Sequence, residues 1–159
     1  MEKLTQEFIE KHIDLIDENK WDIFVDELFD AADVSSNISD VYRMLEEANI
    51  DIIEYLNFIP DYYLYNNYDR KELYISEYAR RIGASAYENN SLLETIHIPK
   101  TVHTFHYRCF ADCPNLKDIY IDRPYDELTD LNINYYWLQN SGNPKIHFTD
   151  RTLTWGVDL

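Results

Sequence analysis

The amino-acid sequence predicts an α+β protein in which an acidic helical N-terminal module caps a short solenoid with a parallel sheet and a C-terminal cap. Three observations predict it. The phrase IGASAYENNSLLETIHI, beginning at Ile82, is written again 23 residues later as FHYRCFADCPNLKDIYI, beginning at Phe105. Residues 5–56 carry apolar stripes at helical spacing. Charge is uneven: residues 1–69 hold 18 Asp and Glu against four Lys and Arg, whereas residues 70–159 hold 12 against 10.

The repeat is read position by position. Ile82 falls on Phe105, Ala86 on Cys109, Tyr87 on Phe110, Asn90 on Cys113, Leu93 on Leu116, Ile96 on Ile119 and Ile98 on Ile121. A period in the twenties marks a solenoid, whose units bury their apolar faces only against one another. One period earlier, Ile59, Tyr63, Leu64, Leu73 and Ile75 occupy the same phases, with Tyr63 replacing a small residue as suits a terminal unit. After Ile121 the pattern is expected to stop. That gives a helical module over 1–58, about three units over 59–121, and a cap over 122–159.

Composition narrows the function classes. A chain of 159 residues fits one domain with a substantial core. It contains no apolar run of membrane-spanning length. The opening MEKLTQEFIEKHIDL has no signal-peptide core, so a cytoplasmic location is expected, and two cysteines agree with a reducing compartment. Three glycines leave no phosphate-binding loop, and no cofactor is expected. The net charge of −16 argues against direct nucleic-acid binding and for a basic protein partner.

Within the N-terminal module, Phe8, Ile9, His12, Ile13, Leu15 and Ile16 define a first helix, with Thr5 as its N-cap. Trp21, Phe24, Val25, Leu28 and Phe29 define a second, running to about Ala32. A third, around Ser39 to Ala48, presents Val41, Leu45 and Ala48. Asp51 stands three residues before Glu54, a capping-box spacing that starts a short helix ending before Pro60. Acids occupy the opposite faces of the first two helices: Glu7, Glu10, Asp14, Asp17 and Glu18, then Asp22, Asp26, Glu27 and Asp30. Like charges so spaced are mildly destabilising, which favours a use for them, such as presenting charge as a DNA duplex does.

The repeats carry a resemblance. Ala86-Tyr87, Cys109-Phe110, Cys113, Leu116, Ile96-His97-Ile98-Pro99 and Val102 resemble the consensus of BspA-like leucine-rich repeats. The acidic start, the phrase NIDIIEYLNFIP and the phrase KIHFTD near the end are similar to small repeat proteins of phages and their bacterial hosts. The resemblance implies a leucine-rich-repeat solenoid that acts by interaction and carries no catalytic apparatus.

In Leu-x-x-Ile-x-Ile the residue between the isoleucines points out of the sheet. Those outward positions are Tyr74, His97 and Tyr120, each 23 apart, and His147 between Ile146 and Phe148 extends the row. Flat, half-polar rings suit protein contact, although Tyr also favours strands for its own sake. For the cap, a helix over Asp126 to Asn140 is expected, then a turn at Ser141-Gly142-Asn143-Pro144, with Ile146, Phe148 and Trp155 closing the last coil.

His103, His106, Cys109 and Cys113 have the inventory of a zinc site. Repeat phase explains both thiols better, because Ala86 and Asn90 hold those positions one coil earlier, so no metal is expected. Cys–His nucleophilic catalysis meets the same objection. The expected function is therefore non-enzymatic: an acidic, DNA-mimicking inhibitor of a host nucleic-acid-binding protein, binding through Glu7, Glu10, Asp14, Asp17, Asp22, Asp26, Glu27 and Asp30. The alternative is an adaptor that binds a protein through Tyr74, His97 and Tyr120.

Overall fold

In the computed structural model, residues 38–47 and 51–159 are described, together with the isolated helical positions Lys11 and Ile23. The repeat of 23 residues becomes one coil of a solenoid. Each coil contributes a strand to each of two parallel sheets. The longer strands are β1 (Glu72–Tyr74), β3 (Thr95–Ile98), β5 (Asp118–Ile121) and β7 (Lys145–His147). The shorter are β2 (Arg81–Ile82), β4 (Thr104–Phe105) and β6 (Asn132–Ile133), which the Ile59–Ile82 bridge extends back to the first coil. β8 (Thr152–Thr154) runs antiparallel to β7, so the long sheet has the order β1-β3-β5-β7-β8.

Register follows the repeat phase. Leu73, Ile96, Ile119 and Ile146 are partners across successive strands and all are buried. Ile98 pairs with Ile121, and Ile75 extends that row from the first coil through its amide bond to His97 O at 2.9 Å. Tyr87 stacks on Phe110 with ring centres 5.5 Å apart. Alternation of inward aliphatic and outward polar residues makes each strand bury one face, which is what lets short strands hold a fixed register.

The coils turn on left-handed residues. Asn66, Asn89, Asp112 and Asn140 all have positive φ, a conformation that Asn and Asp tolerate better than other side-chain-bearing residues. Their side chains bond from coil to coil, Asn89 to Asn66 at 3.3 Å and Asn140 to Asp112 at 2.9 Å. A buried polar row runs beside them. Asn90 Nδ2 donates to the Tyr87 and Leu64 carbonyls at 2.7 and 3.0 Å, and Ser141 Oγ donates to Phe110 O at 2.7 Å. These bonds tie buried side chains to carbonyls of their own coil and of the coil before it.

The C-terminal expectation needs correcting. The repeat does not stop at Ile121; it makes a fourth coil. β4 pairs with β6, Phe105 opposite Ile133, and β5 pairs with β7, Ile119 opposite Ile146. Trp137 and Leu138 then fall in the phases of Cys109 and Phe110. In place of a helix over Asp126 to Asn140 there is a 3-10 helix, Tyr125–Asp130, then β6, then the fourth coil's turns. That short helix lengthens the step from Phe105 to Ile133 to 28 residues, which breaks the period without breaking the stack. The open edge of β7 is covered by β8, while Trp155 packs edge-on against Trp137 at 5.6 Å.

At the N-terminal end, α1 (Ile38–Glu47) and α2 (Ile52–Leu56) cap the first coil. α1 buries Ser39, Tyr42 and Leu45. Asp51 caps α2 as expected, its Oδ1 accepting the Ile53 amide at 3.1 Å, and Asn57 ends it in the left-handed conformation. Tyr63 fills the phase that Ala86 and Cys109 hold in the middle coils. Its ring lies 4.9 Å from Tyr42, and its hydroxyl donates to Glu46 at 2.7 Å. Bulk is tolerated there because a helix, not another coil, lies on that side. Gly83 lies tight against the first coil: a Cβ on it would lie 2.5 Å from the Asp61 amide nitrogen and 2.6 Å from Ile59 O. Apart from Lys11 and Ile23, the first two predicted helices lie outside the described residues.

Candidate protein-binding surface

The outward positions of the long sheet form one continuous row. Tyr74 stacks on His97 with centroids 4.2 Å apart and planes 2° from parallel. His97 stacks on Tyr120 at 5.0 Å and 8°, and Tyr120 on His147 at 4.4 Å and 13°. The spacing is that of adjacent β-strands, so in-register pairing alone brings planar rings to stacking distance. Tyr74 is 68% exposed and Tyr120 41%.

Carboxylates on the neighbouring outward row hold the histidines. His97 Nε2 lies 2.7 Å from Glu72 Oε1, which also accepts the Tyr74 hydroxyl at 2.9 Å. Bonds from His97 first and Tyr74 second keep the Glu72 carboxyl below its ordinary range, and the same contact raises the Tyr74 phenol. His147 Nε2 lies 2.7 Å from Asp118 Oδ1, with Thr152 Oγ1 3.0 Å from its Nδ1. A carboxylate only accepts, so Nε2 carries the proton in each ring. A cavity of about 370 Å³ is lined by the row together with Glu77, Asp122 and Thr149.

The other sequence candidates separate from this surface. Cys109 and Cys113 are fully buried between coils, and burial pushes the Cys109 thiol well up and the Cys113 thiol to about 11. Such thiols are poor nucleophiles because the thiolate is suppressed. His103 is exposed and 3.2 Å from an Arg123 nitrogen, while His106 is half-buried. Among the described residues no group of three or more His, Cys, Asp or Glu is arranged to hold a metal ion, and no helix is long and apolar enough to cross a membrane. The nominated carboxylates Glu7, Glu10, Asp14, Asp17, Asp22, Asp26, Glu27 and Asp30 lie outside the described residues. Glu72 and Asp118, which orient the histidines, were missed by sequence reasoning; acids two positions before a ring in the same strand are their only local signal.

Stacked coils, two parallel sheets and an outward ring row define a short leucine-rich-repeat solenoid. A family model described as a BspA type leucine-rich repeat region, in six copies, matches residues 40–144, and the chain belongs to that family. No curated protein and no solved structure matches the chain. Repeats of this kind serve as scaffolds for protein–protein contact.

Proposed function

We propose that the chain is a non-enzymatic interaction protein that holds a protein partner on the Tyr74–His97–Tyr120–His147 row. The observation that carries this reading is the stack itself, four rings in register, two of them widely exposed. Rings fixed by stacking and by Glu72 and Asp118 lose little freedom on binding, which raises the affinity available from a given contact. Aromatic side chains are also those most often found at the energetic centres of interfaces. The test is affinity for a captured partner after Tyr120→Ala and His97→Ala. Each change is expected to weaken binding by about tenfold or more with the fold retained; unchanged affinity for both would refute the reading.

The charge of residues 1–69 favours a second reading, in which the acidic module mimics DNA and inhibits a basic nucleic-acid-binding protein of a host cell. Reversal of Glu7, Glu10, Asp14 and Asp17 to Lys, with Asp22, Asp26, Glu27 and Asp30 as a second set, distinguishes the two. A mimic loses its partner on reversal and weakens steeply with salt, whereas ring-mediated binding changes little.

A further inference from the structure

The two edges of the long sheet are finished differently. β8 covers β7, but among the described residues β1 pairs with β3 alone. Parallel pairing uses alternate residues of a strand: the Ile75 amide donates to His97 O and the Thr95 amide to Lys71 O, each at 2.9 Å. Glu72 and Tyr74 therefore turn their amides the other way. That edge floors a groove of about 620 Å³, lined by consecutive residues 72–78 and walled by Glu46, Asp51, Tyr63 and Tyr68.

Three properties of the groove specify what fits it. Outward amides on a strand edge call for an extended backbone. Among the described residues Tyr74 is the terminal ring of the stack and is 68% exposed, so its outer face suits one more planar group, aromatic or guanidinium. Among the described residues that line the groove, Glu46, Asp51, Glu72 and Glu77 stand against the single cation Arg70, which favours basic side chains. A second copy of the chain would set Glu72 and Glu77 against their own equivalents. Residues 1–37 hold 11 acids against three bases, a composition that the groove's carboxylates disfavour.

We propose that an extended, basic segment of a partner protein adds to β1 as a further strand and lays a Tyr, His or Arg on Tyr74. This rests on reading the chain as a protein-binding module, and it names the partner's chemistry. Strand addition supplies main-chain bonds at the Glu72 and Tyr74 amides, the Glu72 carbonyl already accepting the Tyr68 hydroxyl; the groove's carboxylates select for positive charge, and Tyr74 sets the register.

The probe is the blocked peptide acetyl-Arg-Val-Tyr-Val-Arg-amide, titrated into the full chain while amide hydrogen exchange is followed by NMR. Binding is expected to slow exchange at Glu72 and Tyr74 by about tenfold or more. The same peptide with Glu in place of Arg should give no protection. Tyr74→Thr keeps the amide and loses the ring, and should weaken the peptide by roughly fivefold. Tyr74→Pro removes the outward amide without touching a bond to β3, and should abolish binding with the melting temperature preserved. If Tyr74→Pro does not fold, the two peptides and Tyr74→Thr decide. The proposal is overturned if the basic peptide protects neither amide, if the Glu peptide protects equally, or if both amides are already protected in the free chain, which would place the chain's own segment there. Loss of a natural partner on His97→Ala and Tyr120→Ala, with no peptide protection at β1, would leave the ring-row reading standing and remove this one.

Discussion

The two ends of the solenoid solve one problem by different means. At each end a coil loses a neighbour, and its apolar face and strand edge need cover. At the C-terminal end the chain folds back: β8 pairs with β7, and Trp155 packs edge-on against the outer side of Trp137. At the N-terminal end helices α1 and α2 cover the apolar face through Tyr42, Leu45, Ile52, Ile53 and Leu56, and no described strand covers β1. The row Tyr63–Ala86–Cys109–Trp137 records the same division. Small side chains fill the middle coils, where the next coil leaves no room, and the bulky ones stand at the ends, where a cap must be met. Burying a face and pairing an edge are thus separable tasks, and among the described residues the C-terminal end alone performs both, with β8 and the turn that follows it.

The sharpest test of that contrast is Trp137→Ala. Trp137 is 1% exposed and touches Phe105, Phe110 and Trp155 edge-on, so its loss should cost about 3–5 kcal/mol in urea unfolding. Hydrogen exchange should accelerate first in residues 131–159. Gly83→Ala acts at the other end. Its methyl group would push into the backbone of the first coil, at a cost of about 1–3 kcal/mol, with faster exchange concentrated in residues 51–75. If both substitutions loosen the same amides, the ends are one cooperative unit and the contrast is confined to architecture.

Alkaline pH should act on the coils in turn. Burial raises the Cys113 thiol to about 11 and the Cys109 thiol well above its usual range, and it raises the Tyr63 and Tyr87 phenols. Above about pH 8.5 unfolded thiols release protons that the folded chain retains, so the unfolded state binds fewer protons and stability falls as pH rises. The third coil, with both thiols, contributes to this decline from about pH 8.5 to 11; the phenols of the first two coils join from about pH 10. A melting temperature measured across that range should fall throughout, and Cys109→Ala should flatten its lower part. A flat profile in the unaltered chain would contradict the burial of these groups.

Much of the architecture was legible because the middle coils have equal length. Ile82 and Phe105, or Ile96 and Ile119, can be aligned by counting, and inward–outward alternation then places Tyr74, His97 and Tyr120 on one face. The fourth coil was hidden for two physical reasons. Tyr125–Asp130 lengthens one loop, and Trp137, at a cap-facing position, looks nothing like the Ala86 and Cys109 it succeeds. The left-handed turns held the missing clue: Asn66, Asn89 and Asp112 recur at 23, and Asn140 follows at 28 with the same backbone requirement. The props Glu72 and Asp118 were not legible because each reaches diagonally to the next strand, a relation set by pairing and not by period.

The extra residues of the fourth coil leave the long sheet between β5 and β6 and return without shifting the register of either sheet. That corner works as an expansion joint. Chain can be added there while the spacing between adjacent rings remains that of neighbouring strands, so this protein can grow outward at one seam and keep its aromatic column aligned.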